Sequence, residues 1–201
     1  MLSVYQLDGY SKTFLGPGKP VLKMDCKCLI LSAGLGTRLG DLTKDIPKVM
    51  LPVGGKPVLE HLVNHLYKYG VFEIMVNLHY KPNMIKDYFG DRLRYSYEPI
   101  LLGETNTVIN NRWWFDKPTF IMNGDTLTDL DLNLMYSDVI VYKSSIASFD
   151  NSTYTGTRLV GPFDKLVTKE YGCYWRDIGT PETLELARKE YAAIRNMPPL
   201  S

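Results

Sequence analysis

The apolar and polar positions of the chain divide into short apolar runs and longer stretches with helical spacing. Lys27–Ala33 is a short, nearly continuous apolar run that ends at a glycine, as expected for a strand that is buried on both faces. Similar runs predict further strands over Phe72–Asn77, Leu93–Glu98 and Pro118–Met122.

Helices are predicted between these strands. Pro57 suits the first turn of a helix, and the apolar residues that follow recur at helical spacing until Gly70, which suits the C-terminal cap. Further helical segments are predicted over Pro82–Phe89 and around Thr105–Trp114. Strand and helix therefore alternate along this part of the chain.

This alternation predicts the fold class. Alternating strands and helices favour an α/β, doubly wound, mostly parallel Rossmann-like sheet with helices on both faces. In such sheets the ligand crevice lies beyond the carboxyl ends of the strands. Both the glycine-rich loop after Ala33 and the NGD sequence at Asn123–Asp125 follow predicted strands, so both are expected at that crevice.

Three segments lie outside the alternation. Residues 1–26 have weak periodicity and are interpreted as an N-terminal extension or linker. Asp138–Lys169 is rich in Ser, Thr and Tyr and is interpreted as a small β-rich insertion of short strands and turns. A last helix is predicted to begin at Pro181, with Thr180 as its cap, and to end before Pro198.

The composition limits the classes of partner. Apolar residues make up 45% and charged residues 22% of 201 residues, which is typical of a globular chain with one core. The net charge of +1 provides no global field for nucleic acid or a membrane surface, so neither is predicted as a partner. The sequence leaves open whether the chain forms a homo-oligomer.

Cysteine usage and hydropathy predict the compartment. The three cysteines are too few, and odd in number, for a disulfide framework. No run approaches the apolar length of a membrane span, and the first residues lack the pattern of a signal peptide. A cytoplasmic protein is therefore expected.

The loop after the first predicted strand carries the most specific chemistry. Gly34 and Gly36 in the sequence AGLGTR allow backbone N–H groups to approach an anion, because glycine has no Cβ. Arg38 offers a forked donor for phosphate oxygens, and Lys48 offers a second positive charge. Together they predict a triphosphate site.

Two other phosphate-binding motifs do not fit these residues. In a dinucleotide fingerprint the third glycine would come one position earlier than Gly40. A P-loop requires Ser or Thr directly after its Gly-Lys pair. In this chain the pair Gly55-Lys56 is followed by Pro57.

With GxGTR followed by PK at a short distance, the loop resembles the sugar-phosphate nucleotidyltransferases, also called nucleoside-diphosphate-sugar pyrophosphorylases. In this chain the PK pair is Pro47 and Lys48, and LPVGGKPVLEHLV comes after it. The resemblance covers roughly residues 27–132 and 171–190. Its further segments are VNLHYKPNMIKDYFGD at 76–91, YEPILLG at 97–103, IMNGDTLTDLDL at 121–132 and YWRDIGTPETLELA at 174–187.

The resemblance implies a reaction and its catalytic residues. An oxygen of a sugar 1-phosphate would attack the α-phosphorus of a nucleoside triphosphate, releasing pyrophosphate and leaving a nucleotide sugar. By motif position, Arg38 would hold the leaving pyrophosphate, and Lys48 would neutralise charge near the α-phosphate. Asp125 of NGD and Asp177 of WRDIGTP would be paired ligands of Mg²⁺.

The same motifs imply the binding residues. Gly34 and Gly36 would line the nucleotide, whereas Glu98 and Gly103 match the family's segment that contacts sugar and base. The binding positions implied in full are Leu31, Ala33, Gly34, Gly36, Thr37, Arg38, Lys48, Glu98, Gly103, Asn123 and Gly124.

The chain departs from the family pattern in two places. Where the family usually continues from LLG into a small Thr-Ala-Gly run, this chain has LLGETNT, with Glu104 and Asn106, which leaves the base open. Residues 138–170 contain neither the family's Glu-Lys-Pro segment, whose lysine binds the sugar phosphate, nor its Gly-Gly-Tyr-type strand. They are interpreted as a reduced sugar-binding insertion within a nucleotidyltransferase domain over 27–201.

The missing lysine has three candidate replacements in the same region, and none of them has the family's neighbours. These are Lys143, Lys165 and Lys169.

The resemblance also favours particular substrates. VNLHYKPNMIKDYFGD is most similar to the mannose-type guanylyltransferases, which predicts GTP with a mannose-type or heptose 1-phosphate. The alternatives are uridylyl or thymidylyl transfer to a glucose-type 1-phosphate and, more distantly, a phosphocholine cytidylyltransferase. An alternative of another class is a regulatory protein that binds nucleotide sugars without turnover, because the acceptor segment is reduced.

Overall fold

A computed structural model of the chain describes residues 12–13, 21–22, 24–142, 145–150, 153–161 and 166–195.

The strands in chain order are β1 (Lys12–Thr13), β2 (Val21–Leu22), β3 (Lys27–Leu31), β4 (Pro52–Val53), β5 (Lys56–Pro57), β6 (Glu73–Leu78), β7 (Arg94–Tyr97), β8 (Thr119–Asn123), β9 (Thr126–Thr128), β10 (Ser145–Asp150), β11 (Thr153–Val160), β12 (Leu166–Glu170) and β13 (Trp175–Asp177). The α-helices are α1 (Val58–Lys68), α2 (Pro82–Phe89), α3 (Gly103–Asn110), α4 (Leu132–Tyr142) and α5 (Pro181–Arg195). Short 3-10 helices cover Thr37–Thr43, Lys48–Met50, Gly90–Arg92 and Arg112–Trp114.

A seven-stranded sheet with the order β12-β10-β11-β8-β3-β6-β7 forms the centre of the fold. β3 runs parallel to both β6 and β8, and β6 runs parallel to β7. β11 is antiparallel to β8 and to β10, and β10 is parallel to β12. The sheet is therefore mostly parallel, which confirms the predicted fold class.

Apolar side chains on both faces of the sheet explain its burial. Cys28 and Ile30 of β3 lie in the main core with apolar residues of α1, α2 and α4. Leu29, between them, packs on the opposite face with Met75 and Trp114. Since neighbouring side chains of a strand point to opposite faces, the apolar run of β3 fills both cores.

The predicted strands of the first half are confirmed to within two residues. The predicted strand Lys27–Ala33 ends at Leu31, and that over Phe72–Asn77 is shifted by one residue. The helix Pro82–Phe89 is found as predicted, but the helix around Thr105–Trp114 is divided into α3 and a 3-10 turn.

The segment Asp138–Lys169 differs from its prediction in part. Its first residues belong to α4, so the interpretation as strands and turns was wrong for Asp138–Tyr142. Leu132, Met135 and Val139 of this helix are buried in the main core, and their spacing places them on one face. The later residues do form strands, and these strands extend the central sheet through the pairing of β11 with β8.

Residues before the predicted start of the domain also join the core. Met24 and Cys26 are each 3% exposed and pack in the main core with Cys28. The predicted end of α5 at Pro198 lies outside the described residues, where the helix is followed to Arg195. Within the described part of the chain, no helix is both long enough and apolar enough to cross a membrane.

The C-terminal helix closes a separate small core. Thr183 donates its backbone N–H to the Thr180 hydroxyl at 3.3 Å, and Pro181 is the first helical residue, as predicted. Leu184 of α5 is fully buried with Ile178. This core also contains Leu39, Leu51, Val53, Val58, Leu127 and Ala187.

The hairpin between β4 and β5 gives a first testable prediction. Gly54 and Gly55 both have positive φ, 56° and 81°, as a two-residue hairpin turn requires. A Cβ on Gly54 would lie 2.3 Å from the Tyr191 ring of α5, whereas a Cβ on Gly55 would meet nothing within 4 Å. We expect Gly55→Ala to lower the free energy of unfolding by about 1–2 kcal/mol. Gly54→Ala should lower it by a further ~1–3 kcal/mol, because Tyr191 must move.

Urea unfolding of the two variants measures this difference, with Gly55→Ala as the matched control for backbone strain. Equal losses would show that the contact of α5 with the hairpin contributes nothing.

The cysteines give a second prediction. Burial, with the nearby carboxylates of Asp25 and Glu73, raises the pKa of Cys26 to about 12, and burial raises the pKa of Cys28. Both thiols therefore stay protonated at about pH 8, and the thiolate is the reactive form. Cys173 is partly exposed. We expect a chromogenic disulfide reagent to titrate one thiol in the native protein and all three after unfolding; labelling of Cys26 in the native state would contradict the buried assignment.

Candidate active site

A cleft of about 560 Å³ opens at the carboxyl ends of the central parallel strands. It is lined by Leu31, Ala33, Gly34, Arg38, Lys48, Asn77, Glu98, Leu101, Gly103, Glu104, Thr107, Asn123, Asp125, Gly156, Trp175 and Asp177. The position agrees with the crevice expected for a doubly wound sheet.

The floor of the cleft is a row of residues across three strands. Leu31 of β3 lies opposite Asn77 of β6 on one side and opposite Asn123 of β8 on the other. The side-chain oxygen of Asn77 accepts the backbone N–H of Ser32 at 2.5 Å, which holds the start of the glycine-rich loop. The strand register thus fixes both amides at the same edge of the sheet.

Glu98 supports the wall of the cleft next to this row. It is 1% exposed, and its Oε1 accepts hydrogen bonds from Asn77 Nδ2 at 2.9 Å and from Thr107 Oγ1 at 2.6 Å. Its Oε2 accepts the backbone N–H of Leu102 at 3.4 Å. The carboxylate therefore links the end of β6 to the start of α3.

The glycine-rich loop makes room for a lysine. Gly36 has a φ of 70°, and a Cβ there would lie 3.0 Å from Cβ of Lys48 and 3.0 Å from Cγ2 of Thr43. A Cβ on Gly34 would lie 3.6 Å from Lys48 Nζ. The Thr43 hydroxyl donates to the carbonyl of Gly36 at 3.0 Å. A side chain at Gly36 would crowd Lys48, whereas a Cβ at Gly34 would lie in ordinary van der Waals contact with it.

Lys48 forms an ion pair with Asp125. Its Nζ lies 2.6 Å from Asp125 Oδ2, and the two side chains are 19% and 12% exposed. Lys48 opens a 3-10 turn after Pro47, whereas Asp125 follows the end of β8. A partly buried pair of this kind orients both charged groups, although it is weak evidence for net stability.

Asp177 reaches the same cleft through a short antiparallel ladder. It lies opposite Thr126 in the pairing of β13 with β9, and the backbone N–H of Ile178 donates to the carbonyl of Asp125 at 3.0 Å. A Cβ on Gly179 would lie 2.9 Å from both Asp177 Oδ2 and Arg38 Nη2. Arg38 and Asp177 therefore flank the same small residue.

The donor set suits a hard divalent cation. Asp125 and Asp177 both line the cleft, and carboxylate oxygens are the ligands that Mg²⁺ prefers. In the part of the chain that the structure describes, no group of three or more His, Cys, Asp or Glu side chains forms a metal cage. Mg²⁺ typically binds through one or two carboxylates plus substrate phosphates, so two aspartates fit such a site.

The cleft gathers most of the residues that the sequence singled out. Ten of them line it: Leu31, Ala33, Gly34, Arg38, Lys48, Glu98, Gly103, Asn123, Asp125 and Asp177.

Gly36, Thr37 and Gly124 lie outside the lining set, and their role in ligand contact stays a prediction. Gly36 and Thr37 form the turn into the 3-10 helix. Gly124 leaves no space for a side chain, because a Cβ there would lie 2.2 Å from the Ser32 hydroxyl.

Sequence reasoning missed several lining residues. Asn77 and Thr107 were read as ordinary strand and helix positions, although a polar residue near the end of an apolar strand was an available signal. Gly156 has a φ of 72° at a bulge of β11, and a Cβ there would lie 2.6 Å from Asn123 Nδ2. Trp175 presents an indole Nε1 that is enclosed and has no hydrogen-bond partner among the described residues.

The sequence model of the nucleotidyl transferase family matches residues 27–158. The match includes the glycine-rich loop and extends into β11, the strand that carries Gly156, and it covers well over half of the chain.

Curated relatives are similar over part of their length. A D-glycero-alpha-D-manno-heptose 1-phosphate guanylyltransferase from Campylobacter jejuni is 38% identical over 112 residues, which are 53% of this chain and 51% of that protein. The enzyme of the same name from Aneurinibacillus thermoaerophilus is 33% identical over 126 residues, which are 60% of this chain and 55% of that protein. The chain spans about half the length of the curated relatives it matches.

Solved structures show the same fold. HddC from Yersinia pseudotuberculosis, complexed with GMP-PN, superposes with a TM-score of 0.70 at 23% identity, covering 82% of this chain and 99% of that one. A UDP-glucose pyrophosphorylase from Acinetobacter baumanii superposes with a TM-score of 0.77 at 15% identity, covering 86% and 95%. At these identities, similarity to solved structures shows only the fold. The family match rests on the sequence. The chain belongs to the nucleotidyl transferase family, as its resemblance to the sugar-phosphate nucleotidyltransferases predicted.

Proposed function

We propose that this chain is a sugar-1-phosphate nucleotidyltransferase. It transfers a nucleoside monophosphate from a nucleoside triphosphate to a sugar 1-phosphate and releases pyrophosphate. The observation that carries the proposal is the convergence of two cationic and two carboxylate side chains on one cleft at the carboxyl ends of the strands.

The proposed step is a displacement at the α-phosphorus. An oxygen of the acceptor phosphate bonds to the α-phosphorus, the bond from the α-phosphorus to the bridging oxygen breaks, and pyrophosphate leaves with that oxygen. Little covalent chemistry is required of the protein in such a step, so positioning and charge neutralisation account for most of the catalysis.

The two cations have separate roles in this step. The Arg38 guanidinium binds the leaving pyrophosphate, because its planar fork matches phosphate oxygens. Lys48 neutralises the charge that develops around the α-phosphate. Before substrate binds, its ion pair with Asp125 at 2.6 Å fixes a flexible side chain in the cleft.

The two aspartates hold the metal. Asp125 and Asp177 would hold Mg²⁺, which would screen the phosphate oxygens and make the α-phosphorus more electrophilic. Asp125 would therefore serve both as a ligand of the ion and as the carboxylate that orients Lys48 in the cleft.

The relatives support a choice of base and acceptor. The curated relatives from Campylobacter jejuni and Aneurinibacillus thermoaerophilus are both heptose 1-phosphate guanylyltransferases. We therefore propose GTP as the donor and a mannose-type or heptose 1-phosphate as the acceptor. We further propose a cytoplasmic location, because three cysteines are too few, and odd in number, for a disulfide framework.

The proposal predicts a substrate profile. We expect Mg²⁺-dependent pyrophosphate release from GTP with mannose 1-phosphate or a heptose 1-phosphate, and kcat/KM at least about 10-fold lower with UTP, dTTP, CTP or glucose 1-phosphate. A coupled pyrophosphate assay with mass spectrometry of the nucleotide sugars measures this directly. Binding of nucleotide and sugar phosphate without turnover in any combination would contradict the enzymatic function.

The metal ligands give a further prediction. Asp125→Asn should lower kcat at least about 100-fold, because an amide binds Mg²⁺ weakly and leaves Lys48 without its carboxylate partner. Asp45→Asn is a matched control, because Asp45 is an exposed carboxylate that pairs with Lys81 at the surface, and it should retain full activity. Thermal melting should show that both variants are folded; an active Asp125→Asn enzyme would refute the ligand assignment.

A further inference from the structure

The proposed reaction needs a cation for the acceptor phosphate. Lys48 is engaged by Asp125 in the cleft. Of the three lysines that the sequence offered, Lys169 is paired with Asp138 at 2.8 Å, and Lys143 and Lys165 lie outside the described residues. The structure offers a different side chain for this role.

Arg158 lies on the face of the sheet that forms the cleft floor. In β11 it stands opposite Ile121 of β8. Ile121 and Asn123 are two positions apart on the same strand and so share a face, about 7 Å from each other. The next residue, Leu159, is buried in the main core on the opposite face. Arg158 therefore projects to the side on which Asn123 lines the cleft.

Its guanidinium contacts the cleft wall. Arg158 Nη2 donates to Oε1 of Glu104, which itself lines the cleft. The Arg158 side chain is 25% exposed and that of Glu104 is 45% exposed. Glu104 belongs to the sequence LLGETNT, where the family usually has small residues. The carboxylate that pairs with Arg158 therefore stands at a position where this chain differs from the family pattern.

The guanidinium is incompletely satisfied in this arrangement. Its Nε is enclosed and has no hydrogen-bond partner among the described residues. Burial lowers the pKa of Arg158, which means that the surroundings disfavour the charge unless an anion is close. Because a guanidinium presents five donors, it has capacity for a further anion besides Glu104.

We propose that Arg158 binds the phosphate of the sugar 1-phosphate, with Glu104 as the carboxylate that holds the guanidinium until the acceptor arrives. This inference rests on the proposed function, since it assigns the acceptor half of the same cleft. A phosphomonoester dianion offers more charge and more acceptor oxygens than a carboxylate, and it matches the forked geometry of arginine. Glu104 lies on the exposed start of α3 and is free to turn towards solvent when the phosphate replaces it.

The Arg158 guanidinium could equally bind the terminal phosphate of the nucleoside triphosphate. Steady-state kinetics distinguish binding of the acceptor phosphate from binding of the donor phosphate. In Arg158→Gln we expect the KM for mannose 1-phosphate to rise about 10- to 100-fold, as for loss of a charge-assisted hydrogen bond. The KM for GTP should change less than about 2-fold, since Arg38 and Lys48 hold the nucleotide. Arg158→Lys keeps the charge without the fork, so it should restore part of the affinity.

Glu104→Gln tests the holding role separately. If Glu104 competes with the acceptor, its neutral variant should lower the KM for mannose 1-phosphate by up to about 5-fold, the range for loss of an exposed ion pair. A purely structural ion pair predicts the opposite, because its loss from either side would impair the protein. Lys169→Gln is the matched control, because Lys169 lies on β12, separated from β11 by β10, and it should leave the acceptor KM unchanged.

Calorimetric titration of the folded protein with mannose 1-phosphate measures binding of the acceptor directly, so it tests the inference even when there is no turnover. Binding by the unchanged chain that is lost in Arg158→Gln supports the inference, even if no pyrophosphate is released and the proposed function fails. Turnover with an unchanged acceptor KM in Arg158→Gln overturns the inference and leaves the proposed function standing. It is also overturned if the unchanged chain does not bind mannose 1-phosphate, or if Arg158→Gln raises the KM for GTP alone.

Discussion

The active-site cleft depends on the register of three parallel strands. β3 lies between β6 and β8, and this register places Leu31 between Asn77 and Asn123. A shift of one residue would turn both amides to the opposite face, where they would face a packed apolar core without partners. The glycine-rich loop begins directly after this row, and so does the Asp125 turn. One constraint, the alternation of apolar side chains into two cores, therefore brings the glycine-rich loop and Asp125, the first proposed metal ligand, to the same edge.

Asp177, the second proposed metal ligand, is positioned by a weaker interaction. Asp177 belongs to β13, whose pairing with β9 extends over three residues. A two-stranded ladder of this length is not stable alone. It is held by the small core in which Leu127 of β9 packs with Ile178 and Leu184. The distance between the two carboxylates thus depends on how firmly α5 docks, although none of the described side chains of α5 lines the cleft.

Features that depend on neighbouring residues could be predicted from the sequence, whereas features that depend on contacts between distant segments could not. Strands such as Lys27–Leu31 are specified by local patterning, and the loop residues carry recognisable chemistry of their own. The helix α4 was missed because apolar residues occur all round it, including the exposed Leu134, so that no clear helical stripe stands out. Asn77 was missed because its role exists only in the paired sheet, where it bonds Glu98 from another strand end.

Arg158 shows the limit of sequence reasoning more sharply. The family resemblance implies a lysine for this role, so the sequence pattern does not indicate an arginine. Nothing local marks Arg158, since its place near the cleft comes from the antiparallel pairing of β11 with β8.

The two departures from the family pattern are joined in the structure. One is the carboxylate of Glu104 at the start of α3, beside Gly103, and the other is the acceptor region, where Arg158 stands and the expected lysine is missing. In the proposed assignment, the ion pair of Arg158 with Glu104 connects the nucleotide side of the cleft to the acceptor side. An unpaired half-buried guanidinium would be costly in the free protein, and an unpaired carboxylate in the cleft would repel phosphate. Each departure therefore offsets the cost of the other, and this ion pair would let the proposed reduced acceptor region retain a positive charge for the sugar phosphate.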